Sequence, residues 1–506
     1  MPRTLTCLSL LLGCGLLLAA NRLTDRPAKS DLPLGEAQNY AQQLNFAINE
    51  VVKTYVRPAQ PSDRDARTPT GKDLAGAALE GLYEAARVPM PASLSARVQK
   101  AANEQQLVEL IGQTRQSLGN PEGLRGSSAL LVSLRSMTRL LDAHSVVVSG
   151  EEVDRGAAND LNQGVGLEVK PGAVPLTVTA VAPGGPAQRA GIRPGDRITH
   201  IDGRQADTVR WVQTQARLGN GAVIVQASTA RHRVELTLLR PGTKGPRKVT
   251  LEQQDFRPET VLGVARKDDN SWDYLVDKRH KIAHVRLATL TQGTTDELAG
   301  VLTSLKAEGM RGLILDLRWC PGGFLDQAVE VPRLFLSRGT VCTFKGRDDP
   351  RTAKAGHGDF VDFPMVVLVN GETSGGAELI AAALQDNKRA AVAGQRTLGK
   401  ASVQTMLPMP VNNTYIKVTS GVFVRPNGKN LHRFPDSKPA DDWGVRPDAK
   451  LEFRVSADLG RQLREAWLLQ TLRPGSSNEA LLLDDPEKDP QRQAALEGLL
   501  FNLFSR

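Results

Sequence analysis

The chain has 506 residues. A single hydrophobic core does not accommodate that many, so roughly two to four domains are expected. Hydrophobic residues make up 40% of the chain and charged residues 24%, a globular composition that excludes an intrinsically disordered protein. Aromatic residues amount to 4% and the basic residues behind the net charge of +9 are scattered, so no nucleic-acid partner is expected. We interpret the charge as a solvated basic surface, with an anionic ligand or a membrane face as the alternative.

Residues 1–20 have the pattern of an export signal. A short basic start at residues 1–3 precedes an apolar or small stretch from Leu5 to Ala20, which is short for a membrane-spanning helix. We expect export to the periplasm or cell envelope, with cleavage near Ala20. An uncleaved membrane anchor and lipidation at Cys14 are the alternatives.

The cysteines and histidines indicate no metal centre. Of the four cysteines, Cys320 and Cys342 lie outside the export signal, and they would either form one disulfide or stay unpaired in sheet edges. The seven histidines lack metal-ligand spacing such as H-E-x-x-H. His144, within residues 141–145, has the most suggestive context and is interpreted as structural.

Residues 35–150 predict a largely helical N-terminal region. Apolar residues recur at three- and four-residue steps. The predicted helices span residues 35–56, 73–83, 94–118 and 128–141, and Asp73 is expected to cap the second of them.

From Gly164 onward the pattern changes to short alternating strands punctuated by Gly and Pro. Strands are predicted at Leu176–Val181, Val223–Ala227 and Val234–Leu239. They indicate a compact β-rich module at residues 160–240.

Residues 275–450 alternate between strand and helix patterns, which favours an α/β layer with a mainly parallel sheet. The predicted strands span residues 282–287, 312–317, 365–369 and 390–393, and the predicted helices span 295–308, 325–336 and 376–385. A helical tail at residues 455–506 follows, with helices at 456–470 and 490–504. The expected fold class is therefore multi-domain α/β.

The segment 367–378 combines an apolar strand, a turn of small residues and the start of a helix. This arrangement presents the hydroxyl of Ser374 at a helix N-terminus, where N–H groups and the positive end of the helix dipole stabilise developing negative charge. Thr373 is a weaker candidate nucleophile. A plain Ser/Gly turn is the alternative interpretation.

Two further segments could complete an acyl-transfer site. Lys400 lies in a Gly/Ser turn between apolar strands, and a desolvated lysine there loses its proton readily and can act as a general base. A buried strand at 314–317 leads into Pro321-Gly322-Gly323, whose N–H groups could bind an oxyanion. The alternative for the second segment is a tight strand–helix connection.

Taken in their order along the chain, the Pro-Gly-Gly, Ser374 and Lys400 segments together resemble the C-terminal processing (tail-specific) family of serine peptidases with a PDZ domain. The similarity extends over roughly residues 140–450. It includes further matching segments at residues 141–145, 164–167, 182–198, 379–394 and 444–448.

The resemblance implies an endopeptidase with a Ser-Lys dyad that recognises proteins by their C-termini and needs no metal or organic cofactor. The PDZ domain would bind the peptide through Gly164, Val165, Gly166 and Leu167. The implied site residues are Lys400 as base, Gln404 as its orienting partner, Glu378 and Asp386 as supporting residues, and Gly322, Gly323 and Gly375 around the oxyanion. The oligomeric state stays open.

One departure from the family pattern affects the nucleophile. In an ungapped alignment the family's serine falls on Gly375, and Ser374 lies one residue earlier; Trp319-Cys320 also replaces a usual polar pair. A shift of one residue turns a side chain by about 100° around a helix axis. Either Ser374 is a displaced nucleophile, or the protein is an inactive homologue that acts as a PDZ-type peptide-binding or scaffold protein. Retention of Lys400 and Gln404 favours the first interpretation.

Overall fold

The structure is a computed structural model. It describes residues 32–58, 67–150, 162–169, 175–181, 185–206, 223–224, 233–252, 254–256, 259–267, 271–348, 350–411, 413–434, 436–472 and 488–504. The export signal predicted at residues 1–20 lies outside the described residues. Within those ranges, no helix is both long enough and apolar enough to cross a membrane.

Contacts divide the chain into two compact units. The smaller unit extends to Lys53 and also includes Pro69–Leu141 and Met409–Asn412. The larger unit holds Thr54–Thr68 and the remainder of the chain, which contains a β-rich module and an α/β core.

The smaller unit is helical. Its helices are α1 Leu34–Thr54, α2 Gly71–Ala86, α3 Ala92–Lys100, α4 Glu104–Leu118 and α5 Ser128–Thr138, with a 3-10 turn at Glu122–Leu124. The single helix predicted for 94–118 is two helices, because the Asn103 side chain accepts a hydrogen bond from the Gln106 N–H (2.9 Å) and starts α4. The prediction that Asp73 caps α2 is wrong in detail, since Thr70 is the N-cap and Asp73 completes a capping box.

The β-rich module follows strand β1 (Val146–Ser149) in the chain. Its elements are β2 Asn162–Gly164, β3 Leu167–Val169, β4 Leu176–Val181, α6 Pro186–Arg189, β5 Arg197–Ile201, β6 Arg204–Gln205, β7 Val223–Ile224, β8 Arg233–Leu239, β9 Arg247–Glu252 and β10 Gln254–Phe256. The main sheet has the order β7-β3-β4-β5-β8-β9. The predicted strands β4 and β8 are confirmed, and of Val223–Ala227 only the first two residues are described.

The α/β core is built around a sheet with the order β11-β15-β16-β19-β20, in which the last four strands are parallel. The elements of this part of the core are β11 Val261–Leu262, β12 Ala265–Arg266, β13 Trp272–Asp273, β14 Leu275–Asp277, β15 Ile282–Leu287, α7 Thr294–Ala307, β16 Gly312–Asp316, α8 Leu325–Phe335, β19 Met365–Val369, α9 Gly376–Asp386 and β20 Ala391–Gly394. Strands β12 and β13 form a separate antiparallel pair. The predicted strands and helices agree with these bounds to within about two residues, a difference at the level of assignment conventions.

A second, antiparallel sheet was not predicted. It consists of β1 with β17 Thr340–Lys345, β18 Arg351–Lys354, β21 Ser402–Met409 and β22 Thr414–Val424. Strand β22 alternates between buried and half-exposed residues along most of its length, as expected for a strand with one face on the core.

Two helices complete the core, α10 Ala457–Leu472 and α11 Pro490–Phe504, as the helical tail predicted. Helix α11 covers one face of the parallel sheet, where Ala495 and Leu499 join a buried cluster with Ile282, Ile314 and Val366. Helix α10 packs Trp467 against Trp319, with ring centroids 6.1 Å apart.

A buried network of charges fixes the start of α11 to the sheet. The Arg318 guanidinium donates to both oxygens of Asp316 at the end of β16 and to both oxygens of Asp489 (2.9 and 3.0 Å). Asp489 in turn accepts the Arg492 N–H (3.0 Å), and His284 Nε2 lies 3.0 Å from Asp316. Arg318, Asp316 and Asp489 are all buried away from water. Their charges are therefore stabilised by the ion pairs that they form with one another.

Candidate active site

Three neighbouring strands of the parallel sheet end in the three loops that the sequence singled out. Strand β16 leads into the Pro-Gly-Gly turn, β19 leads into the Ser374 turn, and β20 leads into the Lys400 loop. Because the strands are parallel and adjacent, their carboxyl ends lie along one edge of the sheet, where open α/β sheets bind ligands.

Asn370 links the first two loops. Its side-chain oxygen accepts N–H groups from Trp319, Glu372 and Thr373, each at 3.1 Å. The Ser374 N–H donates to the Cys320 carbonyl (3.0 Å), which adds a direct backbone bond between the same turns. The turn that carries the candidate nucleophile is therefore held by the turn that precedes α8.

The hydroxyl groups of this turn already have partners. Thr373 is fully buried, and its hydroxyl donates to the Leu317 carbonyl (2.8 Å), a structural use that makes it a poor nucleophile. Ser374 is 7% exposed, and its Oγ donates to the Pro321 carbonyl (3.1 Å). Ser374 would have to leave this bond before it could react.

Gly375 has a backbone conformation that favours glycine. Its φ of 61° and ψ of −124° form a sharp bend at the N-cap of α9. Strand–turn–helix nucleophiles occupy a similarly strained bend, and Gly375 is the residue on which the sequence analysis expects the family's serine to fall. A Cβ atom at Gly375 would lie 3.2 Å from the Pro321 carbonyl oxygen.

The Pro-Gly-Gly turn packs directly against the Ser374 turn. A Cβ atom at Gly322 would lie 2.5 Å from the Gly376 nitrogen, and one at Gly323 would lie 2.0 Å from the Leu290 oxygen. Both residues have positive φ angles, 81° and 153°. The two glycines are required by these close backbone approaches.

Glu378 joins the Ser374 turn to the Lys400 loop. Its Oε2 accepts the N–H groups of Gly375 (3.0 Å) and Lys400 (2.7 Å). Its Oε1 accepts the Gly399 N–H (2.7 Å) and the Thr397 hydroxyl. A fully buried carboxylate with four donors thus fixes the candidate base relative to the candidate nucleophile. The Gly375 N–H, which the resemblance assigned to the oxyanion, is used in this junction.

Replacing Glu378 with glutamine tests this junction. The amide nitrogen of glutamine would face two donors instead of accepting from them, so two groups would lose their acceptor at a cost of about 1–3 kcal/mol each. We expect the free energy of unfolding, measured by urea denaturation, to fall accordingly and peptide cleavage to fall with it. An unchanged stability would contradict this account, and Glu330→Gln on the exposed face of α8 is the control.

The buried carboxyl group of Glu378 should also make the free energy of unfolding depend on pH. Burial raises the pKa of Glu378 to about 7 from its ordinary value of 4.5, although the four donated hydrogen bonds oppose the shift. The folded protein therefore binds this proton more tightly than the unfolded chain, and its contribution to stability declines as the pH rises from 4.5 to about 7. The decline should be absent from Glu378→Gln.

Lys400 is half-buried, and two histidines lie near it. The ring of His432 is buried, packs edge-on against His144 at 6.0 Å, and accepts the Ala401 N–H at 3.4 Å. Burial, together with the charges of His144 and Lys400, lowers the pKa of His432 to about 4. Burial and the charge of Lys400 also lower the pKa of His144. Both imidazoles are therefore neutral at pH 7.

Two residues assigned by resemblance have other partners. The Gln404 amide donates to the Ser402 hydroxyl (2.8 Å) and, within the described structure, makes no hydrogen bond to Lys400. Asp386 forms an ion pair with Arg425 (2.6 Å). It lies at the C-terminal end of α9, about 15 Å along the helix from Gly376. Asp386 thus supports the end of β22 rather than the Ser374 turn.

The unusual pair Trp319-Cys320 bonds the Ser374 turn through its backbone, since the Trp319 N–H donates to Asn370 and the Cys320 carbonyl accepts the Ser374 N–H. Trp319 has a φ of 58° and contacts Trp467 of α10. Cys320 and Cys342 are both buried and are not joined by a disulfide. Burial raises the pKa of the Cys320 thiol to about 12, so it is not a thiolate at neutral pH. No three His, Cys, Asp or Glu side chains converge as metal ligands among the residues described above.

The candidate peptide-binding loop lies at the start of β3. Val165 and Leu167 are buried, Gly166 has a φ of 71°, and the Val165 carbonyl accepts the Ala187 N–H (2.9 Å). Strand β3 pairs with β4 on one side and, for two residues, with β7 on the other. A peptide strand that added to β3 on the β7 side would have to replace that short pairing.

Comparison with known proteins agrees with this architecture. The model of peptidase family S41 matches residues 281–451, and a PDZ-domain model matches residues 177–217. The protein is therefore a multi-domain α/β protein with a helical N-terminal region, a PDZ domain and an α/β core of the peptidase type.

The chain is similar to curated bacterial proteins. It is 32% identical over 307 residues to a carboxyl-terminal-processing protease of Picosynechococcus sp., a match that covers 58% of this chain and 70% of that protein. It is 30% identical over 292 residues to the carboxyl-terminal-processing protease of Synechocystis sp., covering 57% of this chain and 62% of that relative. The chain belongs to the C-terminal processing peptidase family with a PDZ domain.

A solved structure, described as a photosystem II D1 C-terminal processing protease, aligns with 75% of this chain and 93% of its own length. The sequence identity in that alignment is 25% and the TM-score is 0.39.

Proposed function

We propose that this protein is a serine endopeptidase that hydrolyses polypeptides recognised by their C-termini. One observation carries the proposal: Glu378 holds the Ser374 turn and the Lys400 loop together, through N–H groups from both. Such a junction fixes a hydroxyl-bearing helix N-terminus beside a lysine, which is the arrangement that acyl transfer by a Ser-Lys pair requires.

In the proposed reaction, Ser374 Oγ attacks the scissile carbonyl carbon while the neutral amine of Lys400 takes its proton. The N–H groups of the Pro-Gly-Gly turn donate to the oxyanion of the tetrahedral intermediate. The intermediate collapses to an acyl-enzyme as Lys400 returns the proton to the leaving amine. Water then hydrolyses the ester by the same route. For this sequence Ser374 must exchange its bond to Pro321 for one to Lys400, which costs about 1 kcal/mol.

The PDZ domain supports recognition of substrate C-termini, since its loop N–H groups can hold a terminal carboxylate while the peptide adds to a sheet edge. The residues proposed for this role are Gly164, Val165, Gly166 and Leu167. Residues 1–20 support export of the protein to the periplasm or cell envelope, a proposal that cell fractionation tests.

A second function is favoured by one observation. Gly375, not Ser374, occupies the bend in which a nucleophile of this class would lie, and the Ser374 hydroxyl is engaged by Pro321. If Ser374 cannot turn toward Lys400, the protein binds peptides through its PDZ domain and cleft without cleaving them.

Placing a serine at residue 375 separates the two functions. For the peptidase, Gly375→Ser should raise cleavage of an unstructured protein with an apolar C-terminus by less than tenfold, because Ser374 already acts. The free energy of unfolding of Gly375→Ser should be about 1–2 kcal/mol lower than that of the wild type, because φ at residue 375 is positive. Cleavage is measured for the wild type, Ser374→Ala, Gly375→Ser and the double variant.

A silent wild type that is activated by Gly375→Ser would contradict the peptidase proposal and support the binding protein. A wild type that cleaves and is silenced by Ser374→Ala would support the peptidase.

A further inference from the structure

Two arginines stack on one tryptophan beside the Lys400 loop. The guanidinium carbon of Arg396 lies 3.3 Å from the ring centroid of Trp443, and that of Arg433 lies 4.6 Å from it. A guanidinium on an aromatic face is held flat, with its N–H groups directed outward in the plane.

The two arginines are used differently. Arg396 is half-buried, and its N–H groups donate to the carbonyls of Pro439 (2.7 Å), Asp441 (2.6 Å) and Trp443 (2.9 Å). Arg433 is exposed, and in the described part of the chain its guanidinium makes no hydrogen bond to a carboxylate. Arg396 therefore has a structural role, whereas the N–H groups of Arg433 are available to donate hydrogen bonds to a ligand.

The surroundings are positively charged. Burial and the charges of Arg446 and Arg433 lower the pKa of Arg396 to about 10, although Asp442 and Asp441 oppose the shift. Of these two acids, Asp442 is paired with Lys429 (3.2 Å). Asp441 accepts the N–H of Lys438 (2.8 Å). Three guanidinium groups that repel one another would be stabilised by an added anion.

This cluster adjoins the residue that precedes Lys400. The Arg433 N–H donates to the Gly399 carbonyl (2.8 Å), and a Cβ atom at Gly399 would lie 2.7 Å from the Arg433 Cβ and 3.1 Å from Trp443 Cε3. Leu398, 46% exposed, donates its N–H to the Thr373 carbonyl (3.0 Å). The cluster thus flanks the loop that contacts the Ser374 turn, within reach of a peptide lying along that loop.

We propose that Arg433, held on Trp443, is a carboxylate subsite of the peptide cleft. It selects peptides that carry an acidic side chain close to the bond placed at Ser374. The same N–H groups would accept the terminal carboxylate that cleavage creates, so the two sources of a carboxylate have to be separated by experiment. The inference rests on the proposed function in placing a peptide in this cleft.

Binding is measured by fluorescence anisotropy with the full chain carrying Ser374→Ala, so that no peptide is consumed. Two labelled peptides differ only in one Glu or Gln, and both are amidated at the C-terminus, which removes the carboxylate that the PDZ domain would hold. We expect the Glu peptide to bind about three- to fivefold more tightly, as an exposed ion pair provides. In the Ser374→Ala background, the further substitution Arg433→Gln should abolish the preference for the Glu peptide. The control Arg338→Gln replaces an exposed arginine outside the cluster and should leave that preference unchanged.

A third peptide has Gln and an unblocked C-terminus. If Arg433→Gln weakens only this peptide, the subsite takes the terminal carboxylate; if it weakens only the Glu peptide, the subsite takes the side chain. Equal binding of all three peptides, or a preference that survives Arg433→Gln, would overturn the inference. Because the readout is binding, failure of peptide cleavage would not imitate either result.

Discussion

Replacing Lys400 with alanine is expected to slow peptide cleavage by about 10²–10⁴-fold, the usual contribution of a general base. The structure makes this substitution informative because the Lys400 loop is held by backbone groups. The Lys400 N–H donates to Glu378 whatever the side chain, and the Leu398 and Gly399 N–H groups hold the same loop. The alanine variant should therefore keep the fold while losing the amine.

Lys400→Arg provides the matched comparison. Arginine keeps the positive charge but is not deprotonated in proteins, so it cannot accept the proton of Ser374. We expect this variant to be as slow as Lys400→Ala, whereas Lys388→Ala in the turn after α9 should cleave normally. Activity retained in Lys400→Arg would mean that the lysine supplies only charge, and the general-base assignment would be withdrawn.

Replacing Arg318 with leucine is expected to lower the free energy of unfolding by about 3–5 kcal/mol, because removing one partner leaves buried charge uncompensated. Arg318 bonds both Asp316 and Asp489, and all three side chains are buried. The loss should be visible in urea denaturation as release of α11, the helix whose first turn Asp489 caps. Lys306→Leu, which removes an exposed pair with Asp362, should cost about 1 kcal/mol or less.

The contribution of Asp316 to the pH dependence of stability should change sign in this variant. Burial alone would raise the pKa of Asp316, but the Arg318 charge and the His284 hydrogen bond hold it well below its ordinary value. In the wild type this contribution is present above pH 3.8 and is lost as the pH falls. Without Arg318 the buried Asp316 carboxyl should favour its proton, so acidification from pH 7 to pH 5 should stabilise the variant by more than it stabilises the wild type, in which Glu378 alone has been assigned such a gain. A loss below 1 kcal/mol would show that the network contributes little.

The parallel layer could be predicted from sequence because its strands are continuous apolar runs. Gly312–Asp316 and Met365–Val369 are buried at every residue. Each is a short, largely apolar run bounded by turn residues, and such a run is recognisable in the sequence. The antiparallel sheet was missed even though the alternating burial in β22 has a counterpart in the residues at 414–424. Strand β17 pairs with β22 from far along the chain, and such pairing leaves little local signal.

The candidate site was predicted as a set of segments but not as a set of contacts. Ser374, Lys400, Gly322 and Gly323 lie in loops at one edge of the sheet, as their positions after strands implied. The bonds of Glu378 to both loops, and those of Asn370, depend on how the loops fold against one another. From the sequence, Glu378 was identified only as a supporting residue implied by the resemblance.

Two residues assigned by resemblance alone have partners that the sequence did not predict. Gln404 follows Lys400 at the expected spacing, yet it bonds Ser402, and Asp386 bonds Arg425 at the far end of α9. Spacing along a sequence does not fix which neighbour a long polar side chain selects. His432 was not singled out, although burial beside His144 and Lys400 perturbs its pKa.

The central claim is that Ser374 is the nucleophile, and covalent labelling tests it most directly. The protein is incubated with a fluorophosphonate, which phosphonylates activated serines, and the modified peptide is identified by mass spectrometry. We predict one label, on Ser374, that is absent from Ser374→Ala and strongly reduced in Lys400→Ala. An unlabelled Ser374 in a protein that still binds peptide would contradict the claim and identify the chain as a peptide-binding homologue of a peptidase.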